Sequence, residues 1–265
     1  MLLREVEYAK PSSVAEAVAF LEQNEGARAL AGGQTLINVM KARAASPDML
    51  VDLNGIAELK GIELAADGTL TIGSMTTYSE ILASAEAKAR PILAQVCAQI
   101  ADVQVRNRGT VGGNICANDP TNHLPPLVAA IGAQMTIAGT GGERTVAAEE
   151  FFLGVYLTAV GPGELLTAIT IPAGKGDGFA AVTLGVDGTC IANAAASVNG
   201  SLRIALGCVD ATPVVLRPDS VDSVREAVRA AGLNPPSDVH ASSEYRAHLA
   251  EVLAERAARQ AVEKR

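Results

Sequence analysis

Aromatic residues are scarce in this sequence: they make up 3% of its 265 residues, and tryptophan is missing altogether. Positive charge is also in deficit, because 29 aspartates and glutamates outnumber 21 lysines and arginines and give a net charge of −8. Proteins that bind nucleic acids need basic surfaces to neutralise phosphates, and single-strand binders add aromatic rings on which bases stack. The composition therefore excludes a nucleic-acid partner.

Long apolar runs are missing too. No stretch of the sequence approaches the roughly 20 apolar residues that cross a bilayer. Residues 1–5 lack the long apolar centre of a secretory signal peptide. We therefore predict no membrane span and a cytoplasmic location. Hydrophobic residues still make up 49% of the chain, which is enough for a sizeable core.

The four cysteines are widely spaced: Cys97, Cys116, Cys190 and Cys208. They include no Cys-x-x-Cys pair, so the sequence predicts no zinc or iron–sulfur site and favours buried thiols. The common nucleotide fingerprints are also absent. We find no Gly-x-Gly-x-x-Gly, and Gly174-Lys175 lacks the other residues of a P-loop. Rossmann and P-loop folds are therefore disfavoured.

Two glycine-rich loops stand out. The first, residues 30–36, lies between a strand-like run at 27–31 and a helical pattern at 35–43. Gly32 and Gly33 allow the backbone to approach a ligand closely, and Thr35 is expected to cap the helix. Free N–H groups at such a place favour a bound anion.

The second loop lies within residues 104–130 and contains Gly109, Gly112 and Gly113. We expect the N–H groups of residues 111–114 to turn toward the same anion. A tight surface connection is the alternative for this loop taken alone. Together the two loops suit a ligand with two linked phosphates.

The remaining pattern alternates helices and strands. Helices are predicted at 12–24, with Ser12 or Ser13 as N-cap, and at 77–84, 86–100, 221–231 and 242–262. Strands are predicted at 49–53, 61–64, 69–72, 134–138, 144–146, 164–172, 179–186, 191–198 and 202–208, with turns at 139–142, Asp187-Gly188 and Asn199-Gly200. Residues 172–178 read as a linker to a last domain, whose sheet is expected to be covered by helices on one face.

Residues 30–43, 104–114 and 238–253 closely resemble the FAD-binding medium subunit of molybdenum hydroxylases, the family of carbon monoxide, xanthine and nicotine dehydrogenases. The likeness runs from Tyr8 to the C-terminus. It implies an α+β protein with a two-subdomain FAD-binding fold of the PCMH (vanillyl-alcohol-oxidase-like) type in residues 1–54 and 55–174. A C-terminal α/β domain with a small antiparallel sheet and helices would follow in residues 175–265.

The loops and the resemblance together imply a set of FAD-binding residues and no catalytic or metal-binding residue in this chain. The set is Leu30, Ala31, Gly32, Gly33, Gln34, Thr35, Leu36, Ile100, Thr110, Val111, Gly112, Gly113, Asn114, Asp119, His123, Leu166 and Thr183. Ile100 and Leu166 correspond to positions that contact the flavin or adenine portion, but plain core residues remain an equal alternative.

His123 and Thr183 depart from the family pattern. Many relatives have an aspartate at the position of His123 and a lysine, close to the flavin, at that of Thr183. Loss of that lysine is expected to lower the flavin potential or to change how the reduced flavin meets its acceptor. For His123 we rank cofactor contact first, helix capping second and catalysis third.

The resemblance also implies a division of labour among subunits. FAD would belong to this chain, whereas [2Fe-2S] clusters and molybdopterin cytosine dinucleotide would belong to a small and a large partner subunit in a dimer of heterotrimers. Electrons would pass from the clusters through FAD to an external acceptor. A stand-alone FAD oxidoreductase of the same fold and a flavin-free structural subunit are the alternatives.

Overall fold

The computed structural model describes residues 3–185 and 188–265, so the predicted turn at Asp187-Gly188 and the end of the predicted strand 179–186 lie partly outside the described residues. The described ranges form an α+β structure with three sheets and a short ribbon, as expected. No helix within these ranges is long and apolar enough to span a membrane.

The first sheet is parallel and has the spatial order β1-β3-β2. Its elements are β1 (Glu7–Ala9), α1 (Val14–Gln23), β2 (Ala27–Leu30), α2 (Leu36–Lys41) and β3 (Met49–Asp52). The predicted N-cap of α1 is confirmed at Ser13, whose side chain accepts the N–H of Glu16 at 3.2 Å. Glu16 in turn accepts the N–H of Ser12 at 2.8 Å, so the first turn is closed from both sides.

The second sheet is antiparallel, with the spatial order β4-β5-β10-β6-β7. Its strands are β4 (Ile62–Leu64), β5 (Leu70–Gly73), β6 (Gln134–Gly139), β7 (Gly142–Ala147) and β10 (Leu165–Ile171). Around it lie α3 (Tyr78–Ala83), α4 (Ile92–Cys97), α5 (Val103–Arg106), α6 (Val111–Ala117), α7 (Leu124–Ile131), α8 (Ala148–Phe151) and a ribbon of β8 (Phe152–Gly154) and β9 (Leu157–Thr158). The predicted hairpins β4-β5 and β6-β7 are both confirmed.

The single helix predicted over 86–100 is wrong. A 3-10 helix, Glu86–Ala89, and α4 are separated at Arg90, which precedes Pro91 and has a non-helical backbone, with φ −131° and ψ 80°. The residue before a proline seldom adopts helical backbone angles, because the proline ring would collide with its backbone. At this break the Arg90 side chain pairs with Asp177 of the third sheet at 2.6 Å.

The third sheet is an antiparallel meander. It contains β11 (Gly176–Thr183), β12 (Cys190–Asn199), β13 (Ser201–Gly207) and β14 (Val214–Leu216), followed by α9 (Val224–Ala230) and α10 (Ser243–Glu263). The Asn199-Gly200 hairpin is confirmed, since Asn199 pairs with Ser201. The linker is shorter than predicted, because Gly176 already pairs with Val198 in the sheet.

Helices cover both faces of the third sheet, so the prediction that helices would cover only one face is wrong. Residues alternate along β12: Ala194 and Ala196 join the core beneath α10, while Ala195 joins the core of the second sheet, where α7 packs. Asn193 and Ser197 share the α7 side, and both are buried. The third sheet therefore packs directly against α7, which also packs in the core of the second sheet.

Asp238 holds a buried arginine beside this sheet. Its carboxylate accepts the N–H of His240 at 2.8 Å and a hydrogen bond from Arg246 Nη2 at 2.7 Å. These two interactions, in that order, lower the pKa of Asp238 to about 2. A lowered pKa in the folded state means that the carboxylate stabilises the fold above its ordinary pKa of 3.8 and stops doing so as the pH falls through about 2.

We therefore expect Asp238→Asn to be less stable than wild type at neutral pH, with the difference shrinking as the pH falls from 3.8 toward about 2. Urea unfolding of both proteins across this window measures the effect. A difference in the free energy of unfolding that stayed constant with pH would contradict it.

Candidate functional site

The two glycine-rich loops touch each other. A Cβ added to Gly32 would lie 2.1 Å from the carbonyl oxygen of Arg108, and one added to Gly113 would lie 3.4 Å from Ala31 Cβ. Only a residue without a side chain fits between the first loop and the backbone of Arg108. The fold therefore brings together the two loops that the sequence singled out.

The first loop presents a row of unpaired N–H groups. In the described part of the chain, no protein acceptor receives the N–H of Gly32, Gly33, Gln34, Thr35 or Leu36. Gly33 has a φ of +72°, a left-handed conformation that L side chains rarely adopt and that turns the chain within this row. Successive N–H groups in such a turn form a concave site for an anion.

The N–H groups of residues 111–114 in the second loop are already paired within the protein, so the prediction that they turn toward an anion is wrong. Each N–H group that we expected to face an anion already has a protein acceptor: Val111 donates to Thr76 O at 3.0 Å, Gly112 to Ser74 O at 2.8 Å, Gly113 to Thr110 Oγ1 at 3.0 Å and Asn114 to Thr110 O at 3.0 Å. The glycines here serve close packing instead, since a Cβ on Gly112 would lie 2.6 Å from the Ser74 carbonyl oxygen.

The helix caps also differ from expectation. Thr35 has a helical backbone and makes no side-chain cap hydrogen bond, so its predicted capping of α2 is wrong. Thr110 is the residue that caps, by accepting Gly113 N–H at the start of α6. Both threonines stay within the predicted cofactor-binding set.

Two buried polar atoms beside the loops lack protein partners. Asn114 Oδ1 and Ser74 Oγ have no hydrogen bond among the described residues. A buried polar atom without a partner costs free energy, so both atoms are candidates to receive or donate a hydrogen bond to a ligand or water. Ser74 was missed by the sequence reasoning, because nothing in its sequence neighbourhood marks it.

Asp119 and His123 lie beside the third sheet, and Thr183 is part of its strand β11. Asp119 Oδ2 accepts from Tyr156 OH at 3.0 Å, and Thr183 pairs with Cys190 across the sheet. His123 is 6% exposed, and its ring centroid lies 5.3 Å from that of Phe179. His123 makes no side-chain cap on α7, so the capping alternative is wrong.

Cys190 and Cys208 come together beside His123, which the sequence reasoning missed. Asn193 Nδ2 lies 3.4 Å from Cys190 Sγ and 3.5 Å from Cys208 Sγ. A hydrogen bond from Cys208, helped by His123, lowers the pKa of Cys190 below its usual value, and the same partnership raises the pKa of Cys208. The predicted Asn199-Gly200 hairpin could have revealed this proximity, because its register brings residues 190 and 208 to the same open end of the two strands.

Leu166 and Ile100, two apolar residues of the predicted set, lie in and beside the main core, respectively. Leu166 is 2% exposed on β10, and Ile100 is partly buried against the same cluster. Arg106 donates to the carbonyl of Ile100 at 2.9 Å and so holds that segment in place. A core role is shown for Leu166, and a contact with the cofactor stays a prediction for both residues.

The family described as "FAD binding domain in molybdopterin dehydrogenase" matches residues 4–174. The chain belongs to this family. It is 37% identical to the carbon monoxide dehydrogenase medium chain of Afipia carboxidovorans, with 96% of each chain covered. It is 33% identical to the glyceraldehyde dehydrogenase medium chain of Sulfolobus acidocaldarius, with 94% of this chain and 95% of the relative covered.

Solved structures extend the likeness to the whole fold. A chain of the reconstituted carbon monoxide dehydrogenase from Oligotropha carboxidovorans is 36% identical and superposes with a TM-score of 0.93, covering 100% of both chains. A chain of quinoline 2-oxidoreductase from Pseudomonas putida 86 is 32% identical with a TM-score of 0.90, covering 99% of both chains. The predicted family and fold are confirmed.

The residues present fit the FAD of this family. The row of unpaired N–H groups in residues 32–36 matches the negative charge of a diphosphate. Asn114 Oδ1 and Ser74 Oγ offer an acceptor and a hydroxyl beside it. In the second loop the N–H groups of residues 111–114 are already paired, so the side chain of Asn114 is what this segment offers to the cofactor.

Proposed function

We propose that this chain is the FAD-carrying, electron-transferring medium subunit of a heterotrimeric molybdenum hydroxylase, working in the cytoplasm. A small subunit would carry [2Fe-2S] clusters, a large subunit molybdopterin cytosine dinucleotide, and two heterotrimers would form the complex. Its likeness to medium chains over almost its entire length is the observation that carries the proposal.

FAD, when bound, supplies a ring that stores electrons from the partner's clusters and passes them to an external acceptor. This chain's part is to hold and orient it. The N–H groups of residues 32–36 are fixed dipoles that oppose the diphosphate charge, and such dipoles act more strongly in a partly dry cleft than in water. The backbone contact between Gly32 and Arg108 keeps the two loops at a fixed separation.

The spacing of cysteines supports the division of labour among subunits. Cys97, Cys116, Cys190 and Cys208 are free thiols, and within the described ranges no group of three or more His, Cys, Asp or Glu side chains could hold a metal ion. Clusters that deliver electrons to this chain would then be bound by another polypeptide.

The proposal is tested by purifying the complex through an affinity tag on this chain, after co-expression with the neighbouring genes. We expect flavin, iron and molybdenum to copurify, as measured by the visible spectrum and metal analysis. Flavin without either metal would instead indicate a stand-alone flavoenzyme. A colourless preparation would indicate a structural subunit without flavin.

A further inference from the structure

The carbonyl groups that precede the N–H row are all held by donors. Each accepts one hydrogen bond: Ala31 O from Asn54 Nδ2 at 3.3 Å, Gly32 O from Gln34 Nε2 at 3.2 Å, Gly33 O from Ile37 N at 3.2 Å, Gln34 O from Asn38 Nδ2 at 2.7 Å and Thr35 O from Val39 N at 3.0 Å. Three of these five donors are side-chain amides.

A held carbonyl fixes the direction of the next N–H group. The peptide bond is planar, and in its trans form the C=O of one residue and the N–H of the next point in opposite directions. The described chain contains no cis peptide bond. Because the five carbonyls from residue 31 to 35 are bound by the protein, the five N–H groups from residue 32 to 36 point to the opposite sides of their peptide planes. There, no acceptor within the described residues receives them.

We propose that Asn54 and Asn38 are positioning residues for the diphosphate of FAD. Neither needs to touch the cofactor, because each acts through the peptide plane whose carbonyl it holds. Asn54 sets the N–H of Gly32, and Asn38 sets the N–H of Thr35. This inference rests on the proposed function and adds residues outside the predicted cofactor-binding set.

Asn54 is itself held rigidly. Its Nδ2 also donates to Asp52 Oδ1 at 2.6 Å, and its backbone N–H donates to the same oxygen at 2.9 Å. Tyr8 OH donates to the other carboxylate oxygen, and Lys60 Nζ donates to Asn54 O at 2.9 Å. Asp52 is buried, so this network anchors the first peptide of the row to the end of β3.

Asn38 is exposed on α2, and its side-chain amide holds the carbonyl of Gln34. Without this donor, the peptide between Gln34 and Thr35 is free to rotate. A rotated peptide presents a carbonyl oxygen where the anion needs an N–H. The loss should therefore appear as weaker binding of phosphate-containing ligands, with little change in stability.

Asn38→Leu tests the proposal, since it removes the donor, adds no charge and improves helix propensity. We expect FAD to bind the full-length chain about tenfold more weakly, as is typical for loss of a hydrogen bond to a charged group. The affinity for ADP, measured by competition, should fall by the same factor. Riboflavin, which lacks the diphosphate, should compete as it does with wild type.

Asn38→Ser is the rescue variant, because a serine hydroxyl on a helix can donate to the carbonyl four residues earlier. It should recover most of the lost affinity. Asn24→Leu is the matched control: at the C-terminal end of α1, Asn24 Nδ2 donates to Phe20 O at 2.8 Å, which is the same four-residue spacing. This variant should bind FAD as wild type does. Asn54→Leu should weaken FAD binding by a factor similar to that of Asn38→Leu.

Wild-type FAD affinity in Asn38→Leu, or an equal loss of riboflavin and FAD binding, would overturn the positioning role. A wild-type chain that bound no FAD at all would instead overturn the proposed function, and the inference with it. If Asn54→Leu does not fold, the Asn38 series still decides, because Asn38 is exposed and its helix is kept.

Discussion

Arg90→Met is expected to lower the free energy of unfolding by about 3–5 kcal/mol, because it leaves the buried Asp177 carboxylate without a counter-charge. The two side chains are 2% and 3% exposed. Arg90 donates to both carboxylate oxygens, at 2.6 and 2.8 Å, and to Ser197 Oγ at 3.1 Å. Urea unfolding of the two proteins measures the difference.

Two comparisons make this result specific. Arg90→Met with Asp177→Leu should recover much of the loss, since no charge is then left buried. Arg144→Met removes one member of a 2.6 Å pair with Glu164 whose side chains are 45% and 24% exposed, and it should cost less than about 1 kcal/mol. If the two arginine variants lost equal stability, burial would not be the reason for the Arg90 effect.

Local features of the fold could be predicted from the sequence. The cap at Ser13, the hairpin at Asn199-Gly200 and the turn joining β6 to β7 depend on a few neighbouring residues. Their conformations follow from side chains that cap helices and from residues that accept turn geometry. The family resemblance supplied the order of the larger units.

Features that depend on distant residues could not be predicted. Arg90 and Asp177 are 87 positions apart in the sequence. Their pairing could not be predicted without knowing that the two segments meet in the fold. The covering of β12 on both faces depends on α7, which lies in the preceding unit. A run of alanines suits burial on either face and does not say which helix covers it.

The candidate site was predicted in part. The sequence identified both glycine loops, but it gave them the same role. In the structure the acceptors of the second loop's N–H groups are Thr76, Ser74 and Thr110, so packing explains its glycines. Two of the donors that hold the carbonyls of the first loop come from Asn54 and Asn38. The sequence did not predict these roles, because Asn54 is distant from the loop in sequence and Asn38 resembles any exposed polar residue on a helix.

Gly32→Ala is expected to weaken FAD binding by roughly a hundredfold, the equivalent of about 3 kcal/mol, which is the upper range for forcing an extra methyl group into a packed site. The added Cβ would lie 2.1 Å from Arg108 O, 2.8 Å from Arg108 C and 2.9 Å from Gly109 Cα. All three atoms are backbone, so no side chain can rotate away. The loops must separate, and the N–H row moves with the first of them.

The flavin content of the purified protein, taken from its visible absorbance relative to that at 280 nm, checks this effect, and FAD titration gives its size. Gly141→Ala is the matched control, because no atom other than those of Gly141 and its two chain neighbours lies within 4 Å of the Cβ that it would add. Circular dichroism should show the same fold in both variants, since Gly32 lies in the loop between β2 and α2 and Gly141 lies in the turn between β6 and β7. Full flavin content in Gly32→Ala would mean that the loops can part without loss of the cofactor, and the diphosphate would then have to lie elsewhere.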